Sequence, residues 1–141
     1  MQIDSKLKLY YATSIISLLF AIVGFSYNAW RLEISEDNSN IRTASFEVLK
    51  QLAELERIVF AAHYDQDPQE GNPRKAWVKV GLIADLSSLI SPEVELKANT
   101  LKTLWSESWR NVAKSQPITE NVVAKIDDVR IEIKKVLSSL E

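Results

Sequence analysis

The side chains of this sequence that could do chemistry are few, and most crowd into one stretch, HYDQDPQEGNP, from His63 to Pro73. Its His63, Asp65, Asp67 and Glu70 form the one cluster of metal-ligand types. Asp-x-Asp followed by Gly71 looks like the start of a calcium loop, in which acids at alternating positions supply oxygens. The likeness stops there. Pro68 interrupts the spacing, and Ala76 occupies the twelfth position, where a bidentate acid is needed. The stretch therefore reads as a polar turn between helices, with His63 at a helix end near the carbonyl dipole.

Asp127-Asp128 is the other paired set of acids, but it lies among charged residues with no His or Cys close by in sequence. There is no cysteine, a single histidine, no glycine-rich phosphate loop and no nucleophile motif. An enzyme is not expected, and no cofactor or metal site is assigned. Three indoles remain. Trp77, Trp105 and Trp109 fit core and boundary positions, or the walls of a pocket or contact surface. Trp105 and Trp109 are one helical turn apart and cannot both reach the same depth.

What positions all of this is dominated by the run from Leu9 to Trp30, LYYATSIISLLFAIVGFSYNAW, which contains no charged side chain. As a helix rising about 1.5 Å per residue, it matches the roughly 30 Å hydrocarbon core of a bilayer. Its Leu, Ile, Phe and Val residues favour insertion by roughly 3–5 kcal/mol in sum. Tyr10, Tyr11, Tyr27 and Trp30 supply interfacial rings at the two ends, flanked by Lys6 and Lys8 on one side and Arg31 on the other. The run reads as a transmembrane anchor. A cleaved signal peptide is the rival, but Tyr27 before Ala29 spoils the small-residue cleavage pattern and Gly24-Phe25-Ser26 is only passable. A buried core helix is disfavoured because no other segment is apolar enough to surround it. Within the run, Ser14, Ser17, Ala21, Gly24 and Asn28 recur at alternating spacings of three and four, which aligns them on one stripe. Small residues let helices approach closely in lipid, so the stripe is read as a helix–helix interface with a membrane-protein partner or a second copy.

By the positive-inside rule, the basic residues 1–8 form a cytoplasmic tail and place the rest in a periplasmic or extracellular space. Only Lys6, Lys8 and Asp4 precede the anchor, so the remainder carries a small acidic excess, with no footprint for nucleic acid. Residues 31–40, RLEISEDNSN, are either a polar linker or a continuation of the anchor helix. Beyond them, residues 41–141 make one all-α domain. Ile41, Ala44, Val48, Leu52, Leu55, Val59 and Ala62 give one apolar face, with Asn38, Ser39 or Asn40 as its cap. Glu47, Lys50, Glu54 and Arg57 form a charged stripe expected to pair along the helix.

Asn72-Pro73 starts a second helix, to about Ile90, and Ser91-Pro92-Glu93 a third, whose seam is Val94, Ala98, Leu101, Trp105, Ser108 and Val112. After Ser115-Gln116-Pro117, Thr119 is a plausible cap for a fourth, with Val122, Ile126, Val129, Ile133, Val136 and Leu140 at heptad spacing. Four such helices on short loops imply an antiparallel four-helix bundle. The layout is similar in architecture to the sensor domain of bacterial chemoreceptors, although the second hydrophobic span that follows the bundle in that family is not expected here. The function expected is a non-enzymatic assembly or accessory subunit of a membrane complex; the alternative is an extracytoplasmic module that senses or binds a small molecule.

Overall fold

The computed structural model describes residues 2–140. Among them it is all-α: α1 (Gln2–His63), α2 (Pro73–Ser87), α3 (Pro92–Ser108) and α4 (Gln116–Ser139), with no strand. The chain divides into two compact units, Met1–Asn38 and Ser39–Glu141, and α1 contributes to both.

In the first unit every described residue up to Asp37 is exposed, including Phe20, Phe25, Leu18, Leu19 and Ile22. This helix is long and apolar enough to cross a membrane, and none of its most apolar window is buried within the protein. Residues 31–40 are helical. The cap expected at Asn38, Ser39 or Asn40 is therefore not made, because no helix begins there; Ser39 instead offers its carbonyl to the Thr43 hydroxyl one turn on, at 2.9 Å.

The second unit is built on one continuous apolar core. Residues 41–63 of α1 contribute Val48, Leu52, Leu55 and Val59; α2 contributes Ala76, Val80 and Ile83; α3 contributes Val94, Ala98, Leu101 and Trp105; α4 contributes Val122, Ile126, Val129 and Ile133. These are the seams the three- and four-residue spacings select, since each lies on one side of a 3.6-residue helix. The seam of α4 fades toward its end, where Val136 and Leu140 are only half-buried.

Two helix starts have the geometry their sequence dictates. Asn72 Oδ1 accepts from the Arg74 amide at 2.9 Å, and Ser91 Oγ from the Val94 amide at 3.1 Å, each satisfying an N–H the helix cannot. The third differs. Thr119 does not cap α4: it is buried in the helix's first turns, and its hydroxyl donates to the Val112 carbonyl at 2.7 Å. Ser115 holds the cap position without a side-chain bond. α2 also ends three residues earlier than its hydropathy suggests, at Ser87, where tight turns from Leu89 to the Leu86 carbonyl and from Ile90 to the Ser87 carbonyl replace helical bonds.

The charged stripe on α1 makes its ion pairs across the fold, at Glu54 and Arg57, and keeps Glu47 bonded along the helix. Glu54 meets Lys79 of α2, Arg57 reaches Glu70 at 2.8 Å, and Glu47 accepts from Gln51. On the other side Arg130 of α4 bridges Glu56 and Asp127. The hydrogen bond from Lys79 holds the Glu54 carboxyl below the usual carboxylate range; the bond from Arg57, helped by the charge of Lys75, does the same for Glu70. A carboxylate whose folded pKa is depressed stabilises the fold above its unfolded pKa and loses that contribution as pH falls through the folded value. Thermal stability is accordingly expected to drop as pH is lowered from the ordinary value near 4.5. Melting curves of Glu54→Gln and Glu70→Gln across that range should be flatter than those of the parent; parallel curves would contradict both assignments.

Candidate functional site

A concavity sits where α1 ends and the chain reverses into α2. After His63 the helical bonds give way to Asp67 N–H on the Ala61 carbonyl at 3.0 Å and Gly71 N–H on the Asp67 carbonyl at 2.9 Å. Gln66 takes the turn with φ at 50°, the left-handed region that costs a side-chain-bearing residue energy. Its carboxamide holds it there, because the two Nε2 hydrogens reach the carbonyls of His63 at 2.6 Å and Ala113 at 3.0 Å, with the Ala62 carbonyl at 3.3 Å sharing one of them. The side chain thus serves two carbonyls that the end of α1 leaves open and ties in the segment between α3 and α4.

A second tie runs beside it. The Val112 carbonyl receives both the Thr119 hydroxyl and His63 Nδ1, the latter at 3.0 Å. A carbonyl only accepts, so Nδ1 of His63 carries a proton. His63 does lie at the helix end, and it works as a clamp to another part of the chain. Gly71 closes the turn against α1. A Cβ built there would meet the Ala62 Cα and N at 2.5 Å, closer than any side chain tolerates. Asp67 folds back on its own turn, with Oδ1 accepting from Gln69 N at 2.9 Å and Glu70 N at 3.1 Å. Among the described residues no group of three or more His, Asp or Glu is placed to hold a metal ion.

These ties surround a cleft of about 270 Å³. Ile58, Val59 and Ala62 of α1 form one wall, and Trp105 of α3 with Trp109, the residue just past its end, forms another. Val112 and Ala113 continue the second wall, and Gln66, Asp67, Pro68, Gly71 and Pro73 make the rim. Trp105 is only 2% exposed, and its Nε1–H is buried with no hydrogen-bond partner. Trp109, one turn later, is half-buried, with the Arg110 guanidinium 5.1 Å from its ring centroid. The difference in depth follows from the helix geometry. Trp77 is not in the cleft: its ring meets the Trp105 ring edge-on at 6.4 Å and props it from the α2 side.

The other residues singled out by type lie elsewhere. Ser14, Ser17, Ala21, Gly24 and Asn28 are all exposed on the first unit, and a Cβ on Gly24 would meet nothing within 4 Å. Asp127 pairs with Arg130, and Asp128 with Lys125 at 3.6 Å, so the acidic pair is engaged with cations of its own helix. Gln66 and the Val112 carbonyl, central to this corner, had no sequence signal; Gly71 and the flanking prolines marked a turn without showing what it encloses. No family model matches the chain, and no similar curated protein or solved structure is found.

Proposed function

We propose that this chain is a single-pass membrane protein, anchored by residues 9–30, that presents residues 41–141 as an antiparallel four-helix bundle outside the cytoplasm and serves as a non-enzymatic assembly or accessory subunit. The observation that carries the anchor is the exposure of an uncharged run on every side of its helix. A helix apolar all round is covered either by a large protein core or by a bilayer, and with none of this run buried in its own chain hydrocarbon is the simplest cover for Leu, Ile and Phe on every side. Lys6 and Lys8 before the run favour a cytoplasmic amino terminus. The antiparallel arrangement is supported by pairs running in opposite senses: Arg42 with Leu140 and Glu56 with Arg130, Glu54 with Lys79, Trp77 with Trp105. The stripe Ser14, Ser17, Ala21, Gly24 and Asn28 would face a partner helix, where its lack of bulk allows close approach.

The absence of cysteine makes the test direct. Ser5→Cys and Ser138→Cys each introduce a unique thiol. In intact cells a membrane-impermeant maleimide should label the second and spare the first, and alkaline carbonate should leave the protein in the membrane pellet. Release by carbonate sinks the anchor, and the reverse labelling sinks the orientation. Assembly is tested by purification in mild detergent, with Ala21→Leu and Gly24→Leu combined. A stoichiometric partner, or a second copy, lost on substitution supports the stripe; association that survives substitution contradicts it.

A further inference from the structure

We propose that the cleft between the end of α1 and the indoles of α3 binds a small uncharged ring compound carrying one hydrogen-bond acceptor. This goes beyond the mounting and assembly of the chain and does not depend on either. Three features of the site converge on that class.

The first is size and lining. The cleft measures about 270 Å³, at the small end for ligand sites, and its walls are aliphatic apart from the two indoles. Flat aromatic faces with aliphatic backing favour a ring over a flexible chain, because rings stack in offset or edge-on geometry.

The second is charge. No Lys or Arg lines the cleft, and its single ionisable residue is Asp67. The Oδ1 of Asp67 is already committed to the Gln69 and Glu70 amides. An anionic guest would meet a carboxylate at the rim and no cation in the lining, the Arg110 guanidinium being held on the Trp109 ring. A cationic guest would give up its hydration for a carboxylate already accepting two amide N–H groups, so a neutral guest is preferred.

The third is an open donor. The Trp105 Nε1–H is buried without an acceptor, in a residue that forms the cleft wall. Buried indole N–H groups are normally paired, and leaving one unpaired is costly. A guest oxygen that reaches this N–H once the Trp105 wall turns it toward the cleft meets a dry donor, where a hydrogen bond is strongest. The rim is held in advance by the Gln66 carboxamide and by the close approach of Gly71 to Ala62, so binding has little chain left to order.

The four tryptophans supply the readout. The full chain, labelled with nitrogen-15 at the indoles and held in lipid nanodiscs, gives one N–H resonance each for Trp30, Trp77, Trp105 and Trp109, assigned by single Trp→Phe substitutions. Titrated with acetophenone, the Trp105 and Trp109 resonances should shift saturably, Trp105 downfield as its N–H gains an acceptor. Trp30 should report only non-saturable partition into lipid. Toluene, which lacks an acceptor, should bind at least fivefold more weakly, and benzoate should not saturate. Trp109→Ala should weaken acetophenone at least fivefold, and Ala113→Leu, which fills the cleft, should abolish the shift while the other indole resonances keep their dispersion. No saturable shift, or one untouched by both variants, overturns the site. Equal binding of toluene overturns the role of the donor, and preferential binding of benzoate overturns the neutral class. None of these outcomes bears on carbonate extraction or thiol labelling, so this proposal and the anchor fail separately.

Discussion

Gly71→Ala should be among the most damaging single substitutions in this protein, although it adds one methyl group to a turn. The new Cβ would stand 2.5 Å from both the Cα and the N of Ala62, and these are backbone atoms of a helix that cannot rotate away as a side chain would. The turn must lift from α1, which would strain the bond from Gly71 N–H to Asp67 and, through the same loop, the Gln66 carboxamide contacts. Overpacking of this kind costs about 3 kcal/mol. In a domain of about 100 residues that corresponds to a fall in Tm of roughly 12–24 °C. Gly81→Ala is the control, since a Cβ there meets nothing within 4 Å and the position is helical. It should be neutral or slightly stabilising, by up to about 1 kcal/mol. Equal melting temperatures for the two variants would show that the turn is not packed against α1 as described.

Trp105 should separate packing from hydrogen bonding. Trp105→Ala removes a side chain that is 2% exposed and stacked edge-on with Trp77, and is expected to cost about 3–5 kcal/mol. Trp105→Phe keeps a ring against Trp77 and removes the unpartnered Nε1–H. The lost area is destabilising by about 1–2 kcal/mol, and relief of the orphaned donor returns a comparable amount, of about 1–3 kcal/mol. The phenylalanine variant should therefore lie within about 1 kcal/mol of the parent in denaturant unfolding. A loss as large as that of the alanine variant would mean that the indole N–H is satisfied in solution.

How much of this was legible beforehand depends on the range of the interaction concerned. Asn72-Pro73 and Ser91-Pro92 announce helices because the cap is a contact two or three residues long, and both caps are made. The seams Val48, Leu52, Leu55, Val59 and Val122, Ile126, Val129, Ile133 were equally legible, since burial follows from periodicity once any core exists. Thr119 misled for an instructive reason. A threonine near a helix start usually caps, but this one is turned inward by its place on the seam with Val122 and Ile126, and its hydroxyl must find a carbonyl inside. The stripe Glu47, Lys50, Glu54 and Arg57 carried correct helical spacing, and the charges of Lys50 and Arg57 do act on Glu54, but the closest ion pairs of Glu54 and Arg57 are tertiary. Long charged side chains choose among whatever tertiary neighbours arrive, and Lys79 and Glu70 are not visible from α1 alone. The cleft was the least legible. Its indoles could be named, yet Trp77 belongs behind the wall, and the rim depends on a left-handed glutamine that no pattern singles out.

The tie between Arg42 and the Leu140 carbonyl joins positions 98 residues apart, and that between Arg130 and Glu56 spans 74. Shorter separations join the rest: Trp77 meets Trp105 across one connection, and His63 and Gln66 at the end of α1 reach Val112 and Ala113, 49 and 47 residues away. Order of formation follows from this difference. Hairpins of adjacent helices close short loops quickly, whereas bringing α4 onto α1 closes the longest loop in the domain, at an entropic cost that rises only by about 0.6 kcal/mol per doubling of length. The α1–α4 seam is therefore expected to form after the α2–α3 hairpin and to open before it. Such a chain would loosen along a single edge while that hairpin stays intact, which amide hydrogen exchange would show as faster exchange in α4 than in α2 and α3.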